Sequence, residues 1–119
     1  MRKLAHLMAA GLILAAPFAM AGGAAAASFA CVGDMAPDEK AICADCDLAQ
    51  LDVKMATMYQ FLTRTSAMGA RGALQDDQRA WLGQRARCGA ERACIRAAYE
   101  ARIGRLQQLL NDFYSRGPY

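Results

Sequence analysis

Five cysteines carry the most chemistry this chain has to offer, and their spacing admits three uses. Cys43-Ala-Asp-Cys46 is a C-x-x-C. As a redox motif it needs a thiol pKa lowered at a helix N-terminus, which a helix beginning near Asp47 would supply. With Cys88 and Cys94 the same pair offers zinc four sulfurs, but five residues separate the second pair where zinc sites use two to four. The third use is structural, and it fits best. Cys88 and Cys94 flank a sharp helical corner with Gly89 available for the reversal, so they are expected to pair. Cys31 lies on an extended lead that folds back toward Cys43 or Cys46; position alone leaves both partners open.

Acid–base chemistry has little to work with. The only histidine, His6, falls in an N-terminal leader, so the rest of the chain lacks the commonest general base and excludes Ser-His-Asp and Cys-His nucleophilic pairs. Asp76 and Asp77 are adjacent, which on a helix points them apart. There is no phosphate-cradling glycine loop after a strand, since no segment alternates apolar and polar residues at period two. The chain is therefore expected to be no enzyme, with no catalytic residue, metal site or cofactor. Arg85 is the least ordinary charge. It lies one turn beyond Trp81 on the same face, so its guanidinium must pair or reach water, and Asp52 is the expected structural partner. Trp81 and Tyr99 sit on apolar stripes and read as core aromatics.

The leader comes off the account first. Met1-Arg-Lys is charged, Leu4 to Met20 is almost wholly apolar, and Ala19-Met20-Ala21 and Ala25-Ala26-Ala27 are both A-x-A cleavage patterns. Residues 1–27 read as a signal peptide cut after Ala27 or after Ala21, and 28–119 as one small domain. The apolar run is broken by Pro17 and has no charge cluster behind it, so no stable membrane insertion is expected after cleavage. Export to the periplasm or beyond suits disulfides, and all five cysteines lie at or past Cys31.

Removing Arg2 and Lys3 lowers the formal charge from +3 to +1, which argues against nucleic acid as a partner. The distribution is uneven. Residues 28–63 carry two lysines against six acids, and residues 64–119 carry ten arginines against five acids. The simplest expectation is an acidic front half packed against a basic back half.

The elements that must position these residues are helices. Pro37-Asp38-Glu39 starts a short helix reaching Cys43, because proline suits the first helical position and acids suit the positive helix end. Asp45 or Asp47 caps a second, on which Leu48, Leu51, Met55, Met58 and Leu62 form one stripe, with Asp52 at its edge. Ser66 to Gly72, with two glycines and no periodicity, reads as a loop. A third helix runs from about Ala73 to Cys88, with Leu74, Gln78, Trp81, Arg85 and Cys88 on one face. A fourth begins near Glu91 with Ile95, Tyr99, Ile103, Leu106, Leu110 and Phe113 on one stripe. The expected fold is all-α, a disulfide-stapled bundle of three main helices plus one short N-terminal helix.

Ser28-Phe29-x-Cys31, Ile42-Cys43-Ala44-Asp45-x-x-Leu48-Ala49-x-Leu51-Asp52, Tyr59, Gln78-Arg79-x-Trp81-Leu82-x-x-Arg85-x-x-Cys88-Gly89, Cys94-Ile95, Tyr99 and Arg102-Ile103 together resemble the LprI-like lysozyme-inhibitor family. The resemblance implies a small exported helical protein whose partner is another protein, lysozyme being the one attached to the family. It also implies that Cys31, Cys43, Cys88 and Cys94 are the family's four cysteines, pairing Cys31 with Cys43 and leaving Cys46 as an additional free thiol. The chain departs from the pattern at Cys46, at Ala86 and in lacking a lipid-attachment triplet before Cys31. Two surfaces offer themselves for lysozyme: a basic protrusion from Arg85 to Arg96 to enter its carboxylate-bearing cleft, or the acidic front half to meet its basic exterior. A structural or accessory envelope domain with a different protein partner is the alternative. A thiol or metal protein built on Cys43 and Cys46 stands behind it.

Overall fold

A computed structural model describes residues 27–116, and in it the chain forms α1 (Pro37–Cys43), α2 (Cys46–Thr65), α3 (Met68–Ala86) and α4 (Arg92–Ser115), with no strand among the described residues. The expected signal peptide, residues 1–27, lies outside the described residues except for Ala27. None of the described helices is long and apolar enough to cross a membrane.

Local chemistry sets most helix ends. Pro37 opens α1, and the Glu39 carboxylate accepts from the Ala36 N–H at 2.9 Å. Asp45 caps α2 by accepting from the Asp47 and Leu48 N–H groups at 3.0 and 3.1 Å. Gly89, at φ +55°, takes the left-handed conformation that turns the chain from α3 into α4.

The expected loop at Ser66 to Gly72 shrinks to Ser66 and Ala67, because α3 begins at Met68 and takes in both glycines. Glycine in a helix costs roughly 1 kcal/mol relative to alanine. Tertiary contacts offset that cost. Arg71 reaches back across the turn, Nε donating to the Thr63 carbonyl at 2.9 Å and Nη2 to the Ser66 carbonyl at 3.1 Å. Propensity underestimated the helix because these bonds join residues that only the turn brings together.

Cross-helix contacts give the direction of each element. Asp45 meets Arg92, Asp52 meets Tyr99, and Phe61 meets Phe113, so α2 and α4 pack on each other in parallel, with α3 running antiparallel beside both. The core is Ile42, Leu48, Met55, Met58, Leu62, Leu74, Trp81, Ile95, Tyr99, Ile103, Leu106 and Leu110, the stripes read from the sequence turned inward. α1, the start of α2, the end of α3 and the start of α4 share one end of the bundle. The α2–α3 turn and the end of α4 make the other.

Candidate functional site

Two disulfides staple the first end. Cys31 is bonded to Cys43 and Cys88 to Cys94, with Cα atoms 5.8 and 5.6 Å apart, and Cys46 is an exposed free thiol on the first turn of α2.

Beneath them lies a buried polar network. Arg85 Nε donates to Asp38 Oδ2 at 2.8 Å, and Arg85 Nη1 donates to the Tyr99 hydroxyl at 3.0 Å. That hydroxyl donates in turn to Asp52 Oδ1 at 2.9 Å. The Ser28 N–H donates to the other oxygen of Asp52 at 2.5 Å. Asp38, Asp52, Arg85 and Tyr99 are all buried. The Arg85 guanidinium also lies 5.7 to 5.9 Å from the ring centres of Phe29, Trp81 and Tyr99, a distance at which aromatic faces attract a cation. Trp81 donates its indole N–H to the Ala98 carbonyl at 3.0 Å and packs edge-on against Tyr99. Residues from all four helices and the lead thus converge on one point.

The expected Asp52–Arg85 pair is corrected here. The carboxylate on Arg85 is that of Asp38 in α1, and Asp52 is reached only through Tyr99. In the sequence Asp38 reads as a helix-start acid alone. Its second role depends on how α1 docks across α3, which no local pattern encodes.

Burial opposes charge on Arg85, but Tyr99 and Asp38 outweigh it and hold the guanidinium pKa above its ordinary value. Burial pushes the Tyr99 phenol well above its ordinary range, Asp52 adds to the rise, and Arg85 acts against it. The network therefore holds a firmly charged arginine and a firmly neutral tyrosine. Neither is poised to exchange a proton near neutral pH, so the arrangement is built for rigidity.

A second arginine is buried midway along the bundle. Arg102 Nε donates to Gln78 Oε1 at 3.1 Å, Gln78 Nε2 contacts Met55 Sδ at 3.3 Å, and Arg102 Nη2 has no hydrogen-bond partner among the described residues. Burial lowers the Arg102 pKa; Asp77 and Tyr59 act the other way.

The acidic front and basic back meet as the charge distribution implied. Asp38 pairs with Arg85, Asp45 with Arg92 at 3.2 Å and Asp47 with Arg96 at 3.6 Å, each joining the front half to the back. The Leu48 N–H bond of the cap and the nearby Arg92 keep Asp45 ionised below the usual carboxylate range. These pairs change the reading of the Arg85 to Arg96 protrusion: Arg85 is internal, and Arg92 and Arg96 already face carboxylates. Of its arginines Arg87 is exposed and forms no ion pair among the described residues.

The opposite end differs in kind. Arg64, Arg71, Arg105 and Arg116 are exposed there, and none forms an ion pair with a carboxylate among the described residues. Beside them Phe61, Phe113 and Tyr114 form an aromatic cluster with ring centres 5.6 to 6.3 Å apart. Phe61 is 38 % exposed, Tyr114 64 % and Met68 87 %, so the bundle leaves apolar area uncovered here. Leu62, Leu74, Leu109 and Phe113 floor a groove rimmed by Arg105, Arg116 and Asp77. Sequence reasoning missed this surface, although Phe113-Tyr114 beside Arg116 was its legible trace.

Among the described residues no cluster of three or more histidines, cysteines, aspartates or glutamates could hold a metal ion. No curated protein and no solved structure gives a significant match to this chain. Residues 31–112, from the first disulfide cysteine to the last turns of α4, match the family described as Lysozyme inhibitor LprI. With four helices, two disulfides and a match over most of its length, the chain belongs to the LprI lysozyme-inhibitor family.

Proposed function

We propose that this protein is an exported, non-enzymatic inhibitor that binds lysozyme in the cell envelope, and that residues 1–27 are the leader removed on export. The observation that carries the reading is the family match over residues 31–112. Two disulfides and a buried network support it, because a rigid body loses little conformational entropy on binding.

The surface that fits is the end opposite the disulfides. A lysozyme cleft presents two carboxylates, one of them against an apolar wall. Arg105 and Arg116 beside Phe61, Phe113 and Tyr114 offer the complementary charge and aromatic area, the residue types that anchor protein interfaces. The Arg92 and Arg96 side is less suited, since its charge is already met by Asp45 and Asp47.

The test is lysis of bacterial cell walls by lysozyme, followed by turbidity, with the exported protein added at micromolar concentration. Slowed lysis is expected. Tyr114→Ala combined with Arg116→Ala is expected to weaken inhibition at least tenfold, and Arg92→Ala less than threefold. Unslowed lysis by the wild-type protein would overturn the function. Slowed lysis that is indifferent to Tyr114 and Arg116 would overturn the surface, and an accessory envelope role with another protein partner gains if lysozyme binds nowhere.

A further inference from the structure

Asp38, Asp52 and Arg85 are buried together, two carboxylates against one guanidinium. Asp38 has Arg85 directly, whereas among the described residues Asp52 receives only the Tyr99 hydroxyl and the Ser28 N–H. A buried carboxylate without a cation is costly, so the cluster is one positive charge short. The nitrogen donating to Asp52 belongs to Ser28, the residue immediately after Ala25-Ala26-Ala27. In the full chain that nitrogen is a peptide N–H with one proton to give.

We propose that the missing cation is the α-ammonium of Ser28, created by cleavage of the Ala27–Ser28 bond and held by Asp52. A signal peptidase adds water across the bond: the C–N bond breaks, Ala27 leaves as a carboxylate, and Ser28 takes the proton that makes its amine an ammonium. The nitrogen now has three protons and a full charge at the position where one proton already meets Asp52 at 2.5 Å. The cleft around it is lined by Glu39 as well as Asp52, with Arg85 the opposing charge and already matched by Asp38. Phe29, against the Arg85 guanidinium, and Cys31, bonded to Cys43, hold the new terminus in place. Removal of the leader thereby completes the core, and the mature domain locks on its own first residue.

This inference rests on the export reading, and its test separates the two. The full chain is expressed with its leader, the exported protein is purified, and its N-terminal residue is sequenced. The folded protein is then labelled with limiting acetic anhydride near neutral pH, where Lys40 and Lys54, both exposed, serve as internal references. We expect Ser28 as the first residue, and an α-amine that acylates at least tenfold more slowly in the folded protein than in urea. Asp52→Asn should restore most of that reactivity. Tyr99→Phe, which leaves Asp52 charged, should restore little. Failure to cleave the leader would overturn export and inference together. A first residue of Gly22, or a Ser28 amine that labels in the folded wild type as fast as in urea, would overturn the inference alone and leave export standing.

Discussion

The Tyr99 hydroxyl stands between Arg85 and Asp52, accepting from the first at 3.0 Å and donating to the second at 2.9 Å. One phenol oxygen thus joins α3 to α2 from its place on α4, and neither charge touches the other. A neutral relay lets two ionised side chains share a small core without a direct ion pair.

Removing that oxygen tests the relay. Tyr99→Phe keeps the ring against Trp81 but leaves Arg85 one acceptor short and Asp52 one donor short. The expected loss is about 1–3 kcal/mol, the cost of unsatisfied buried polar groups. Urea unfolding followed by circular dichroism measures it; an unchanged midpoint would show that the hydroxyl contributes nothing.

Arg85 should couple to Asp38 more strongly than to Asp52. Arg85→Met leaves the Asp38 carboxylate buried without its cation and is expected to cost about 3–5 kcal/mol. Adding Asp38→Asn should recover part of that loss, whereas adding Asp52→Asn should recover less. Two double-mutant cycles in urea give both coupling energies, and a larger value for Asp52 would reverse the assignment made here.

Alkaline pH should destabilise the fold through Tyr99. Its phenol pKa in the folded protein is raised, chiefly by burial, while in the unfolded chain it ionises near 10. Above about pH 10 the unfolded state therefore binds fewer protons than the folded state, and stability falls as pH rises, with a limiting slope of about 1.4 kcal/mol per pH unit. Below about pH 10 this contribution is fully present. Melting temperatures measured in a Cys46→Ser background to prevent thiol exchange should show no Tyr99-dependent change from pH 8 to about 10 and a fall above about pH 10 that is smaller in Tyr99→Phe.

The two disulfides should differ in weight. Cys31–Cys43 spans 12 positions and Cys88–Cys94 spans 6. In the chain-entropy account the longer loop contributes about 3 kcal/mol and the shorter about 2 kcal/mol. Opening the first also frees the lead that brings Ser28 to Asp52. Paired Cys→Ser variants should therefore rank Cys31/Cys43 as the more damaging by thermal unfolding. The reverse order would mean that the Gly89 corner carries more of the fold than the lead does.

What the amino-acid order determined by itself was local. Pro37, Asp45 and Gly89 mark helix ends because caps and left-handed turns depend on a few consecutive residues. The stripe from Leu74 to Arg85 was legible because helical spacing alone puts those residues on one face, and Cys88–Cys94 because both cysteines flank one corner. The family pattern named Cys31–Cys43 where spacing had left Cys46 in competition. Tertiary structure decided the rest. Helical spacing pointed to Asp52 as the partner of Arg85, and Asp38 takes that place through the docking of α1 against α3, a packing outcome that depends on every core side chain between them. The same holds for the surface. Arg92 and Arg96 look like a free basic run until the parallel packing of α2 and α4 sets Asp45 and Asp47 beside them. Arg105 and Arg116 form no ion pair among the described residues, although Asp77 lines the same groove. Sequence specifies which charges exist, and only the packed helices determine which of them are already spent on one another.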